Sequence, residues 1–262
     1  MKKTDSVVYA ITTFYKSMEE IRFKLACQTI GNGVLAGHEV VVVDGSQDPL
    51  IKKKFTDLGA RVFPELHPGL GPCRRQSYFH AVEVCNQGGH AAVLAVEAEK
   101  DLAQFVPGLL KPIQAYNAHI VLPERTEEGW ASYPEFQVAS EKAANAVYDE
   151  VMGYKDDMFF GPMLFVPQPE VSGYFLSQPC AKLGFPDTYA HHLGMIWSRL
   201  SPNHVKVAKV FINFLYPRVQ RDEELGRLND DMIKKRKLQF DTLTEGYRNA
   251  ARRLRSPVRD ML

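Results

Sequence analysis

Apolar and polar positions follow two rhythms along the first half of the chain. Short, nearly continuous apolar runs at 6–11, 39–43, 60–63 and 91–96 alternate with longer stretches of helical spacing. Continuous runs of this length suit strands buried on both faces, whereas a half-exposed strand would alternate. In 17–35, Met18, Ile21, Leu25 and Cys27 lie near a 3.6-residue period, and Ser17 stands ahead of Glu19 and Glu20 as a cap. Helices are also expected over 49–58, 73–85 and 103–116, and an extended segment over 119–122. This succession predicts an α/β protein with a mainly parallel central sheet. Right-handed crossovers then line the loops that follow the strands along one edge, where such sheets bind ligands.

The second half is less regular. A helix is expected over 135–151, and strands over 158–166 and 205–215, the latter interrupted by Lys206 and Lys209. The tail from Arg218 carries 12 Lys and Arg against 8 Asp and Glu, net +4, which leaves −3 for the rest. Its apolar residues recur at Leu225, Leu228 and Met232, then at Phe240, Leu243, Tyr247, Ala250 and Leu254. Spacings of three and four make one helical stripe. Such a helix is expected to dock on the body or to pair in a homodimer; peripheral membrane contact through its basic face is the alternative.

Composition narrows the class. The 262 residues are 45% hydrophobic and 24% charged, which excludes wholesale disorder. A formal charge of +1 gives no reason to expect a nucleic-acid partner. No apolar run approaches the roughly 20 residues that span a bilayer. The apolar stretch behind the charged start is short and interrupted by Thr12 and Thr13, so it reads as a first strand and not as a signal peptide. Cys27, Cys73, Cys85 and Cys180 are scattered with no C-x-x-C pair, which argues against a disulfide framework or a structural zinc. A cytoplasmic setting is the expectation.

Four strand ends carry candidate chemistry. Thr12-Thr13-Phe14-Tyr15 follows the first strand and has no glycine, so it lacks the G-x-G-x-x-G on which dinucleotide binding depends. Hydroxyls followed by aromatics suit a base and a ribose better. Asp44 ends the second strand ahead of Gly45, Ser46 and Asp48; a carboxylate there either meets a ligand or caps the next helix. In Pro68-Gly69-Leu70-Gly71-Pro72-Cys73-Arg74-Arg75, bare backbone and two guanidinium groups stand together, a combination that holds a diphosphate. Cys73 beside two arginines reads as a small packing residue in the absence of a matched His or Asp. Val96-Glu97-Ala98-Glu99-Lys100 closes the fourth strand. In extended chain Glu97 and Glu99 project to the same side, and a divalent cation would relieve their repulsion. The alternative is an acidic strand end neutralised by Lys100.

These four motifs, in this order and at these strand ends, resemble the GT-A glycosyltransferases, and most nearly the family 2-type enzymes. The resemblance covers roughly residues 6–125. It implies a Rossmann-like three-layer α/β/α catalytic domain over 1–217, with a nucleotide-sugar half (1–125), an acceptor half (126–217) and a helical tail (218–262). It implies a nucleotide-diphospho-sugar donor, an unidentified acceptor and Mg²⁺ or Mn²⁺. Carried over, Asp44 would contact the base, Gly71 and Arg74 would lie beside the nucleotide and its diphosphate, and Glu97 and Glu99 would hold ribose and metal. Thr12, Phe14, Arg125 and Gly161 are further donor-side candidates. The acid pair is Glu-Ala-Glu where the family has Asp-x-Asp, so a metal would sit differently. The catalytic motifs of processive members are absent, which points to single-sugar transfer.

The acceptor half offers Asp187 as a candidate base and His191 or His192 as a further metal ligand. Trp130 and Tyr133 stack on a sugar or lid the core. Gly161-Pro162 breaks an apolar run in a way that suits backbone passing close to the sugar. Asp156 and Asp157 are expected to be solvated, as are Asp230 and Asp231. A nucleotidyltransferase on a similar fold and a catalytically silent sugar-nucleotide binder are the rival readings.

Overall fold

The computed structural model of the chain describes residues 5–177, 180–201, 203–226 and 230–255. The strands are β1 (Val7–Thr13), β2 (Glu39–Asp44), β3 (Arg61–Pro64), β4 (Ala92–Ala95), β5 (Ile120–Arg125), β6 (Met163–Phe165) and β7 (Val207–Ile212). They form one sheet in the order β3-β2-β1-β4-β6-β5-β7. β6 runs antiparallel to both its neighbours, and every other pairing is parallel. The helices are α1 (Ile21–Leu35), α2 (Pro49–Asp57), α3 (Leu70–Gly88), α4 (Val106–Tyr116), α5 (Glu127–Ala131), α6 (Glu135–Met152), α7 (Pro169–Leu176), α8 (Cys180–Leu183), α9 (Ala190–Leu200), α10 (Arg218–Gly226) and α11 (Asp230–Arg255).

Strand alternation sorts the core into two faces. Val7, Tyr9 and Ile11 of β1 join Val40 and Val42 of β2 and residues of α1, α2 and α4 in one cluster. Val8, Ala10, Val41 and Val93 point the other way and pack with α3, α6, α7, α9 and α11. The result is a three-layer α/β/α architecture, with burial on both faces explaining the uninterrupted valine runs.

Several boundaries move for local reasons. α1 starts at Ile21 and not at residue 17, because Glu20 and Ser17 close a separate turn. The Glu20 carboxylate accepts from Lys16 N (2.6 Å) and Ser17 N (3.1 Å), and Ser17 Oγ accepts from Glu19 N (3.1 Å). α3 starts at Leu70, three residues before the expected 73, because Gly69 takes φ +117° as its N-cap and Pro72 is tolerated in a first turn. The expected strand over 158–166 shrinks to Met163–Phe165: Gly161 has φ +93° and Pro162 has no N–H to give a ladder. Asp48 caps α2 through Leu50 N at 2.9 Å.

The tail helix lies on the body. Leu243, Tyr247 and Ala250 of α11 are fully buried, and Tyr247 meets Tyr148 of α6 edge-on at 5.3 Å between ring centroids. Leu228 and the side chains of Asp230, Asp231 and Met232 lie outside the described residues. Among the described residues, no helix is long and apolar enough to cross a membrane.

Candidate functional site

The carboxyl ends of β1 and β2 are tied together by short polar contacts. Thr13 Oγ1 and Ser46 Oγ both donate to Asp44 Oδ1, each at 2.7 Å, and Ser46 Oγ accepts from Tyr15 N at 2.9 Å. Asp44 is fully buried, yet its Oδ2 has no hydrogen-bond partner. Phe14, next in the chain to Thr13, is 61% exposed, and its ring lies against Gly45. A Cβ on Gly45 would displace the Glu65 carboxylate and touch the Phe14 ring at 3.4 Å.

Next to this edge opens a small cleft, with a cavity volume of about 20 Å³, lined by Thr12, Arg74, Ser77, Glu97, Gly161 and His191 among others. Arg74 is its organising residue. One nitrogen, Nη1, donates to Thr188 O (2.8 Å) and to His191 Nδ1 (3.3 Å), and Nη2 lies 3.9 Å from Glu97 Oε1. A guanidinium only donates, so His191 Nδ1 accepts and the ring proton belongs on Nε2. Burial, reinforced by Arg74, pushes His191 well below the usual histidine range, so the ring is neutral. Its neighbour His192 is held at about 3 by burial and then Arg74, and pairs through Nδ1 with the Tyr247 hydroxyl of α11 at 2.7 Å.

The acid pair departs from the sequence expectation. β4 ends at Ala95, so Glu97 and Glu99 sit in the turn beyond it and do not share a strand face. Each has its own cation. Glu97 Oε2 is 2.7 Å from Lys100 Nζ, and Lys100 also donates to Phe160 O. Partial desolvation would raise the Glu97 carboxyl, whose side chain is still 44% exposed, but Lys100 and Arg74 outweigh it and hold the group at about 2. Glu99 is buried; its Oε1 is 2.9 Å from Arg22 Nε and accepts from the Tyr15 hydroxyl at 3.2 Å. Arg22 carries no motif signal; α1 brings it there by packing.

A divalent cation does not fit this donor set. It wants several free, hard oxygens, whereas here both glutamates are already paired and His191 Nδ1 faces a guanidinium. Among the described residues, no three His, Cys, Asp or Glu side chains cluster so as to hold a metal. Glu99 and His191 as metal ligands is therefore an expectation that the geometry does not support.

Gly71 and Asp187 meet for a reason that spacing does not reveal. A Cβ on Gly71 would lie within 2.5 Å of the Asp187 carbonyl oxygen and collide with its carboxylate. The glycine admits the 187–189 turn against α3, which also lets Arg74 reach Thr188. Asp187 is not a free base: Arg75 binds both its oxygens, at 2.5 and 3.1 Å. Cys73 is no thiolate; burial and the bond to Glu65 push it up to about 12.

Arg125 is the clearest correction. Its side chain is fully buried and lies outside the cleft lining. Nε and Nη2 bind Asp157 at 2.8 Å each, Nη1 binds Glu141 at 2.8 Å, and the guanidinium carbon stacks 3.4 Å from the centre of the Trp130 ring. Trp130 and Tyr133 thus cover an arginine and do not wait for a sugar. Asp156 and Asp157 are both buried in ion pairs, not solvated, with Arg199 binding Asp156 at 2.6 and 2.9 Å.

No family model matches the chain, and no curated protein matches it. Solved structures do. Glucosyl-3-phosphoglycerate synthase from Mycobacterium tuberculosis, in complex with Mn²⁺, UDP and phosphoglyceric acid, is similar at 14% identity over 88% of this chain and 78% of that one, with a TM-score of 0.51. The same enzyme with UDP gives 16% identity, 84% and 75% coverage and a TM-score of 0.51. A further mycobacterial protein gives 16% identity, 84% and 70% coverage and a TM-score of 0.52. At these identities the likeness establishes the architecture, which is the GT-A fold of nucleotide-sugar enzymes.

Proposed function

We propose that this GT-A chain binds a nucleotide-diphospho-sugar at the carboxyl edge of β1, β2 and β4 and transfers one sugar to an acceptor hydroxyl. The observation that carries the reading is Asp44 Oδ2, a buried carboxylate oxygen without a partner at the tip of β2. Leaving such an atom unpaired is costly, and a ligand N–H would supply the missing donor once binding uncovers the oxygen, which is fully buried here. A nucleobase bearing that N–H beside Phe14 would leave its ribose and diphosphate toward Thr12 and Arg74. The Arg74 guanidinium offers charge to the departing diphosphate. Gly161 would leave room for the sugar, since it presents no side chain at the cleft. Asp187 is our candidate base, and it takes the acceptor proton only once Arg75 releases it. The similar mycobacterial synthase, crystallised with UDP and phosphoglyceric acid, supports a nucleotide donor in this fold.

A second reading, a catalytically silent sugar-nucleotide binder, is favoured by one fact: Glu97, Glu99 and Asp187 are each paired with a cation. A thermal-shift panel of UDP-, GDP- and dTDP-sugars, followed by a donor-turnover assay, tests both. We expect one nucleotide class to raise the melting temperature by roughly 5 °C at about a hundredfold excess over Kd. Binding with no sugar released or transferred to any acceptor would favour the silent binder. Stabilisation by nucleoside triphosphates alone would favour nucleotidyl transfer.

A further inference from the structure

Two carboxylates and three cations meet beyond β4: Glu97 with Lys100 and Arg74, Glu99 with Arg22. The group therefore carries one net positive charge before any ligand arrives. An unpaired acid pair at this place would carry two negative charges and would need a divalent ion before it could face a diphosphate. Here a divalent ion entering the group would meet three resident cations, while a diphosphate would meet a compensating charge. Resting on the nucleotide-sugar reading above, we infer that Arg74 and Lys100 take the place of a divalent metal as counter-charge to the donor diphosphate, so that donor binding is metal-independent.

The shape of the cleft agrees with this. An ideal Cβ on Gly161 would lie 3.3 Å from Glu97 Oε1 and 3.6 Å from Lys100 Nζ. A side chain there would press on the Lys100–Glu97 pair; the glycine leaves Glu97 open to the cleft, with Lys100, only 10% exposed, reaching it through that carboxylate. Arg74 is mostly buried, with 16% of its side chain exposed, and fixed by Thr188 and His191, so its charge is already oriented. Arg22 and the Tyr15 hydroxyl meanwhile occupy Glu99, the second acid that a metal would have used.

The test is calorimetric titration of the full chain with UDP, GDP and dTDP, once in excess EDTA and once in millimolar MnCl₂. The nucleotide that binds should do so with Kd values within about threefold in the two buffers, since a metal bridging the diphosphate would change Kd by tenfold or more. The spin-resonance signal of free Mn²⁺ should be unchanged by the protein alone. Lys100→Met should weaken binding by about tenfold and Lys100→Arg by much less, because the arginine keeps the charge. Melting curves on both variants establish that each is folded. Binding that disappears in EDTA and returns with Mn²⁺ would overturn the inference while leaving the nucleotide reading intact. Mn²⁺ captured without nucleotide would overturn it too. No binding of any nucleotide in either buffer would sink the nucleotide reading and the inference with it.

Discussion

Two arginines in this protein face carboxylates and do different work. Arg125 is closed: all three of its outward directions are filled by Asp157 and Glu141, and Trp130 covers its face. Arg74 is open: it is anchored by Thr188 and His191, and its contact with Glu97, at 3.9 Å, is loose. The same residue type thus serves as structure where every donor is satisfied within the protein, and, in the function proposed above, as a binding group where its carboxylate contact is loose. Sequence alone ranked them together, as two arginines beyond two strands.

The sharpest way to break the comparison is at Arg125. Arg125→Met leaves Asp157 and Glu141 buried without their partner. Urea unfolding should show a loss of about 3–5 kcal/mol, with nucleotide affinity of the folded protein unchanged. Loss of affinity at undiminished stability would reverse the roles assigned to the two arginines.

Acid should reach the cleft side next. The two histidines beside Arg74 have folded pKa values below the ordinary 6.5, lowered by burial and then by Arg74. The unfolded chain therefore takes up more protons as pH falls, so stability is full above about pH 6.5 and declines from there toward 3. Unfolding measured at pH 7 and at pH 5 should differ by about 2–4 kcal/mol. Glu97, held at about 2, adds loss of the same sign only below its unfolded value near 4.5. Glu124 and Glu141, raised by burial, act with the opposite sign, so the rings are checked directly: imidazole NMR signals that titrate between pH 7 and 5 would mean that these rings are solvated.

Arg74→Ala should weaken nucleotide-diphosphate binding by about 10–100-fold, the value of a charge-assisted bond, at a smaller stability cost than Arg125→Met. Titration calorimetry beside a melting curve separates the two effects. Asp44→Asn keeps an acceptor for Thr13 and Ser46 but replaces the unpartnered oxygen with an amide. Affinity should fall about tenfold, and the preferred base should change. Unaltered selectivity would remove Asp44 from the base site. The smallest effect is expected at Phe14→Ala, a loss of about threefold to tenfold for one stacking face, with no change in melting temperature, because the ring is mostly exposed.

Much of the scaffold was legible in advance, and parts of the site were not. Valine runs marked β1, β2 and β4 because a strand covered on both faces must be apolar at every position. The acids and hydroxyls that follow those runs marked one edge of the sheet because a parallel sheet turns its strand ends one way. Gly71 was picked out for its bare backbone, and the structure sets Asp187, 116 residues further along the chain, against that backbone. Glu97 and Glu99 were picked out as a pair, and the structure divides them, because the strand stops at Ala95, two residues before Glu97, and a lysine and two arginines claim them separately.

What the order of residues determined by itself is therefore the layered α/β frame and the edge at which chemistry is concentrated, since both follow from local periodicity and chain direction. Which charges are spent and which remain available was decided only by tertiary packing. Arg22 arrives from α1, Arg74 from α3 and Asp157 from the segment before β6, and no local pattern encodes those meetings. The strength of an ion pair depends on distance and on the water excluded around it, and both are properties of the folded whole.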